Sequence, residues 1–319
     1  MRVLVSGATG FIGRRLVGRL LQQGDQVSVL SRDPQRARVA LPGAAAHGWQ
    51  PESEPAPAAA FSVGGEPVEV VVHLCGEPVA AARWTEERKR RIADSRVEGT
   101  RRLVETIARL PVAPATLVSA SAVGYYGSRG DDELDEQSAA GEDFLAGVCV
   151  AWEREAERAT ALGLRVVRCR IGVVIGEDGG ALSRMLTPFR LGFGGRLGDG
   201  KQWMAWVHVD DVVGLLLHAA GAGAAGGVAL RGPLNAVAPT PARNLDFTHE
   251  LGRALGRPAV IPVPAAALRL ALGEMATVVL ASQRVVSRVA PASGYDFAWP
   301  RLAEALDDAV AKARHGAGR

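Results

Sequence analysis

Apolar and polar positions follow two periods along this chain, and they first change over within its opening segment. Arg2-Val3-Leu4-Val5-Ser6 is an apolar run of strand length, Gly7-Ala8-Thr9-Gly10-Phe11-Ile12-Gly13 a glycine-rich turn, and Arg14 to Gln23 an amphipathic helix closed by Gly24. Gln26-Val27-Ser28-Val29-Leu30 supplies a second apolar strand, so the order strand, turn, helix, strand predicts a βαβ unit with parallel strands.

The pattern recurs downstream. Val68 to Leu74 is an unbroken apolar run suited to a central parallel strand, Ala115 to Ser119 is another, and Leu164 to Arg168 a third, continued by Ile171 to Ile175. Thr85 to Leu110 predicts one long helix with a charged face, and Phe144 to Leu162 a second, amphipathic one. Shorter helices are expected near Ala181 to Phe189 and from Val212 to Ala220, the latter capped by Asp210 and Asp211. Pro42 to Pro67 reads as surface connection with one short strand near Ala44 to Trp49, and Asp131 to Glu142 as acidic loop. Together these elements predict a doubly wound α/β domain with a parallel sheet over residues 1–234, with substrate-side insertions near 176–206, and a small C-terminal lobe over 235–319 that closes the cleft.

Composition excludes several classes. With 319 residues, 48% hydrophobic and 22% charged, the chain has the make-up of a globular protein with one large core and a smaller lobe. A net charge of +3 suits an anionic small ligand and is too small and dispersed to argue for nucleic acid. The charge run Glu86 to Arg91 reads as a solvated helix face. Cys75, Cys149 and Cys169 are odd in number and far apart, which gives neither a disulfide framework nor a metal site. The apolar stretch from Pro264 to Val286 is interrupted by Arg269, Glu274 and Arg284, so no membrane span is expected. The N-terminus enters a strand at once, and a cytoplasmic location is the expectation, as monomer or homodimer.

The glycine turn carries the first candidate chemistry. Gly7 permits the sharp turn, Gly10 lets backbone approach a pyrophosphate, and Gly13 lets the helix pack close to the sheet, with the anion on the helix N-terminus. After the second strand, Ser31 and Arg32 stand where an acidic residue would select NAD, and Arg36 and Arg38 follow, so NADP(H) is expected. Asp33 is read as a helix cap with Pro34 after it. Leu74, Cys75, Gly76 and Glu77 lie at the carboxyl end of a parallel strand and should line the cofactor, whereas His73, inside that strand, reads as a core residue. Ser121 and Tyr125 follow the next strand, well placed to touch a substrate, and Lys201, Gln202, Trp203 and His208 form an aromatic and polar stretch of the kind binding surfaces use.

These residues resemble the extended short-chain dehydrogenase/reductase superfamily, also called the NAD-dependent epimerase/dehydratase superfamily. The resemblance is carried by Gly7 to Gly13, Ser119-Ala120-Ser121 and Trp206-Val207-His208-Val209-Asp210-Asp211. Within it, the chain is similar to a bacterial and organellar sub-family named for nucleoside-diphosphate-sugar epimerases. That similarity rests on His73 to Glu77, Ser95-Arg96, Phe144-Leu145-Ala146, Trp152-Glu153, Gly198 to Trp203 and Gly256-Arg257-Pro258, with a C-terminal segment of unknown role resembling Pro262 to Leu306. The resemblance implies NADP binding at Thr9, Phe11, Ile12, Ser31, Arg32, Leu74, Cys75 and Arg96, with Val174 near the nicotinamide end.

One departure matters. The superfamily's proton transfer rests on a Tyr-x-x-x-Lys pair one helical turn apart, and the corresponding helix here carries Cys149 and Glu153. None of the three lysines, Lys89, Lys201 and Lys312, follows a tyrosine by four residues. Cys149 is expected to be a buried, inert thiol, and Glu153 either a structural carboxylate paired with an arginine or a general base. Two functions remain open: an NADP(H)-dependent oxidoreductase or epimerase acting on a small polar, sugar-nucleotide-like molecule, and a cofactor-binding module without turnover, such as a redox reader or assembly factor.

Overall fold

A computed structural model of the chain describes residues 1–221 and 229–316. Seven strands make the main sheet: β1 (Arg2–Ser6), β2 (Gln26–Ser31), β3 (Ala45–Gly48), β4 (Val70–His73), β5 (Thr116–Ala122) and β6 (Arg165–Ile171), with Gly232–Ala236 on its far edge. Two strands between β6 and that edge, β7 (Val173–Ile175) and β8 (Trp206–His208), pair with each other outside the sheet, so the edge strand is β9. The order is β9-β6-β5-β4-β1-β2-β3, every pairing is parallel, and the direction of winding reverses between β1 and β4. Ligands of open α/β sheets bind outside the carboxyl ends at such a reversal.

Alternation within the strands builds a core on each face. Val3, Val5, Val27 and Val29 meet Leu16, Val17 and Leu20 of α1 (Phe11–Gln22) and Val212, Val213 and Leu216 of α6 (Val209–Ala220). Leu4, Leu30, Val71 and Leu117 point the other way, onto Leu103, Val104 and Ile107 of α3 (Glu86–Ile107) and Ala156 of α4 (Phe144–Glu157). The short helix α2 (Pro34–Ala40) starts on Asp33, whose carboxylate accepts the Arg36 N–H at 2.9 Å, and α3 starts on Thr85 in the same manner.

Three elements differ from the sequence pattern. The amphipathic run 144–162 is α-helical only to Glu157 and then tightens into a 3₁₀ turn, Arg158–Leu162, closed by left-handed Gly163. The apolar run 164–175 is two strands rather than one. A Cβ at Gly172 would collide with the Ala205 carbonyl, and past that glycine the chain leaves the main sheet as β7. Asp210 and Asp211 are not the caps of α6, because the helix begins at Val209 and its cap is the His208 ring, which accepts the Asp210 N–H. Asp211 is buried and reaches the C-terminal segment instead, accepting Ala298 N–H at 2.8 Å, Trp299 N–H at 3.0 Å and Tyr295 O–H at 3.1 Å.

The remaining helices are α5 (Leu182–Arg190), α7 (Asn244–Leu255), α8 (Ala265–Leu272), α9 (Ala276–Leu280), α10 (Val289–Ala292) and α11 (Leu302–Gly316). Leu186 and Phe189 of α5, Phe247 and Leu251 of α7 and Leu306, Ala309 and Val310 of α11 share a core with Ile175 and Trp206. The sheet's last strand, 232–236, straddles residue 234.

His208, which the sequence places on a binding surface, is fully enclosed. Its Nε2 is 3.2 Å from Asp308 of α11, Lys312 is 2.8 Å from the same carboxylate, and the Trp299 ring lies 4.9 Å away. Burial lowers its pKa, opposed by Asp210 and Asp308. The folded chain therefore binds this proton more weakly than the unfolded chain, so the stability contributed by neutral His208 is complete above the ordinary imidazole pKa and lost as the pH falls below it. Between about pH 7 and pH 5 the thermal midpoint should drop, and His208→Asn, which keeps an acceptor for Asp210, should make that slope shallower. Equal slopes by differential scanning fluorimetry would refute it.

Candidate functional site

The cleft at the reversal point has a volume of about 550 Å³. Its floor is the glycine turn, through Gly7, Thr9 and Gly10. Gly7 has φ +68, and a Cβ there would stand 2.8 Å from the Leu74 carbonyl, while one at Gly13 would strike the Gly7 carbonyl. Only glycine lets the turn pass beneath the end of β4 and the helix start directly behind it. The first turn of α1 has no side-chain cap and no acidic residue, which leaves its N–H groups and positive dipole end for an anion.

Ser31 and Arg32 line one wall together with Arg36 and Arg14, and Leu74, Cys75, Gly76 and Glu77 line the other. The Asp33 carboxylate is occupied with the N-terminus of α2, and Ser31 bonds backbone Asp33. Neither Arg32 nor Arg36 forms an ion pair among the described residues. Arg38 turns away, onto the Ala46 carbonyl at 3.3 Å. Arg14 faces Asp178 at 3.6 Å, and Trp49, Pro51 and Glu52 close the far end. Glu77 is held by Arg88 at 3.2 Å and Arg91 at 2.9 Å.

Five residues expected at the cofactor stand behind the cleft surface. Gly13 is under the turn, and Ile12 and Val174 pack into the core. The Phe11 ring fills a socket formed by Gly176, Gly179 and Gly180, where a Cβ at Gly176 would come within 2.6 Å and at Gly179 within 2.5 Å of it. Arg15 covers that ring at 4.8 Å and pairs with Glu177 and Asp178. The Arg96 guanidinium presses on Gly76 from behind, donates to the carbonyls of Glu77 at 3.1 Å and Ile92 at 3.0 Å, and stacks over Trp152.

Beyond the carboxyl end of β5 the chain makes a 3₁₀ turn, Val123–Tyr126, carrying Tyr125. Ser121 donates to Glu153 Oε1 at 2.7 Å, and Arg170 of β6 grips both oxygens of that carboxylate, Nε at 2.8 Å and Nη2 at 2.9 Å. Arg170 Nη1 donates to Tyr126 Oη at 2.9 Å and to the Glu136 carbonyl at 3.3 Å. Tyr126 in turn donates to Asn235 Oδ1 at 2.7 Å. Glu153 is thus one half of a buried ion pair. Cys149 lies against Gly124, with its thiol pushed up to about 11 by burial first and by Glu153 second, against the pull of Arg96.

Of the four residues expected to meet substrate, His208 is enclosed as described. Gln202 is almost fully buried and donates to the Leu197 and Val279 carbonyls, so it braces its own loop. Lys201 is exposed, its N–H bonded to Asp199. Trp203 donates to Asp131 at 2.7 Å beneath Arg243 and Arg284, and its carbonyl accepts Gln283 N–H. Gln283 Nε2 donates to the Val123 and Gly127 carbonyls, which joins this loop to the turn bearing Tyr125. Sequence reasoning missed Arg170, Glu136, Asn235, Trp49 and Glu52. Only Arg170 left a signal, a charged residue repeated inside an apolar strand pattern.

Burial also pushes Cys169 up to about 12. At about pH 8 in folded protein, neither Cys149 nor Cys169 should be alkylated by iodoacetamide while denatured chain labels at all three cysteines; rapid modification of Cys149, detected by peptide mass spectrometry, would contradict the inert-thiol reading.

Comparison with known proteins agrees with this geometry. Residues 3–229 match the model of the NAD dependent epimerase/dehydratase family, and residues 263–309 match a domain of unknown function. The chloroplastic homolog of epimerase family protein SDR39U1 from Arabidopsis thaliana is 41% identical over 96% of this chain and 86% of its own length. Epimerase family protein YfhF from Bacillus subtilis is 34% identical, covering 98% of each. The crystal structure of human SDR39U1 isoform 2 with NADPH superimposes with a TM-score of 0.86 at 36% identity, over 98% of this chain and 99% of that one. No described helix is long and apolar enough to cross a membrane. With a parallel sheet wound about a glycine-turn cleft and a family model matched over most of its length, this chain belongs to the NAD-dependent epimerase/dehydratase family.

Proposed function

We propose that the chain is an NADP(H)-dependent oxidoreductase, or an epimerase-like variant of one, acting on a small polar molecule of the sugar-nucleotide kind. One observation carries the reading: Arg32 and Arg36 line the cleft without an ion-pair partner among the described residues, beside Ser31 where a carboxylate would favour NAD, and the carboxylate next in sequence, Asp33, is occupied as a helix cap. The human relative's crystal structure with NADPH supports it. Gly7, Thr9 and Gly10 would take the pyrophosphate on the N-terminus of α1, Arg32 and Arg36 the 2′-phosphate, and the wall from Leu74 to Glu77 the nicotinamide half. When bound, the cofactor supplies or accepts a hydride. The chain's own residues hold it and hold a second molecule near Ser121 and Tyr125. We place the protein in the cytoplasm, as monomer or homodimer, with neither a nucleic acid nor a membrane as partner.

A second reading has its own support. With Cys149 and Glu153 where the superfamily's pattern has its Tyr-x-x-x-Lys pair, the helix lacks that proton-transfer group, which suits a module that senses NADP(H) and turns nothing over. Fluorescence of bound NADPH separates the two: decay on addition of one of a panel of sugar and small carbonyl compounds marks an enzyme, and a steady signal across the panel marks a binding module. For the cofactor, a phosphate–arginine pair contributes about 1.5–3 kcal/mol. Arg32→Ala should therefore shrink the ratio of NADPH to NADH affinity about tenfold or more, and an unchanged ratio by fluorescence titration would remove the assignment.

A further inference from the structure

The geometry points to Tyr125 as the proton-transfer group of this site, with Arg170 in the place of the missing lysine and Glu153 as the residue that positions Arg170. This assignment rests on the oxidoreductase reading above. The family's helix offers a tyrosine and a cation one turn apart, and here both have left that helix. A tyrosine and a cation are nevertheless in contact nearby. Arg170 Cζ lies 3.4 Å from the centre of the Tyr125 ring, a face-on stack. The guanidinium is fixed around its edge: Nε and Nη2 by Glu153, Nη1 by Tyr126 and the Glu136 carbonyl. With four of its five N–H groups held, it offers a face, and Tyr125 takes it. Glu153 at the lysine position is then explained, since it holds a cation it has replaced.

The two adjacent tyrosines have different fates. Tyr126 is wholly buried, both donates and accepts through its hydroxyl, and is pushed up to about 12 by burial. Tyr125 is half-buried, and its hydroxyl makes no hydrogen bond among the described residues. It stands just past the carboxyl end of β5, four residues beyond Ser121, where a ligand of this sheet would bind. Ser121 has committed its proton to Glu153, so toward a ligand it offers lone pairs and accepts. Tyr125 supplies the free donor that a carbonyl oxygen needs. In the reduction of a ketone or aldehyde, NADPH would give up its nicotinamide C–H bond's hydride to the carbonyl carbon and become NADP+, the C=O π pair would move to oxygen, and the Tyr125 O–H bond would break to give that oxygen its proton. Solvent then reprotonates the phenolate. A cation held on the ring face stabilises the charge that develops on the phenol oxygen as the proton leaves.

Two measurements test this. Tetranitromethane nitrates ionised, accessible phenols, and the chain has three tyrosines. Tyr126 and Tyr295 are both pushed up by burial, Tyr295 additionally by Asp211. Nitration of cofactor-free protein followed by peptide mass spectrometry should modify Tyr125 first, and Glu153→Asp, which keeps the charge but withdraws the carboxylate from Arg170 by one methylene, should slow it several-fold when both proteins are compared below their melting midpoints. Modification of another tyrosine first, or no effect of Glu153→Asp, overturns the arrangement. The second measurement takes the panel compound that most accelerates NADPH oxidation by the wild-type protein. Tyr125→Phe should lower kcat about a hundredfold or more with little change in KM or NADPH affinity, and Arg170→Lys should recover more of kcat than Arg170→Met. If Tyr125→Phe turns over normally, this assignment falls and the oxidoreductase reading stands. If the wild type oxidises NADPH with no member of the panel, that reading falls and takes this assignment with it.

Discussion

The buried pair of Glu153 and Arg170 is the constraint on which the structure beyond the carboxyl ends of β5 and β6 depends. Two charges withdrawn from water are tolerated only when their hydrogen-bonding capacity is used, and removing one partner strands the other. Here the Ser121 hydroxyl takes a carboxylate lone pair, and Tyr126 and the Glu136 carbonyl take two of the three guanidinium N–H groups that Glu153 leaves. Tyr126 passes the order to Asn235 on the sheet's edge, and Asn235 Nδ2 donates to the Val286 carbonyl. The Glu136 carboxylate accepts the N–H groups of Asn235, Arg288 and Val289. A single ion pair thereby ties together α4, the ends of two central strands, the acidic loop after β5 and the returning C-terminal segment.

Asp211 works on the opposite face in the same currency of hydrogen bonds. Its carboxylate gathers the segment 295–299 onto the start of α6, while His208 and Trp299 seat α11. Burial raises the pKa of Asp211, and three donors oppose that rise. The C-terminal segment is therefore fastened at two polar points to a domain whose own core is almost entirely aliphatic, which fixes its path where apolar contact alone would let it slide.

Much of the Rossmann half was legible because its signals are local. A central parallel strand is apolar throughout, a glycine triplet between strand and helix has a steric meaning, and Asp33-Pro34 is a cap wherever it stands before a helix. The strand lengths were less legible, since nothing local tells β5 to run on to Ala122 or β6 to stop at Gly172, where the Ala205 carbonyl comes too close for a side chain. The network was not legible at all. Glu153 meets Arg170 across 17 positions, Tyr126 meets Asn235 across 109 and Glu136 meets Arg288 across 152, and no periodicity encodes such distances. The same limit explains Gln202 and His208: their polarity pointed outward, but long-range partners drew both inside.

The Phe11 ring in its glycine socket joins the start of α1 to the segment after β7. The turn beneath the anion site carries the pin, and the segment after β7, which leads into α5 on the other side of the cleft, carries the hole, with Arg15 and its two acidic partners as the clasp. In a lineage of such proteins, the ring and its three glycines would have to drift together or not at all, because any side chain added to the hole expels the pin from beneath the cofactor.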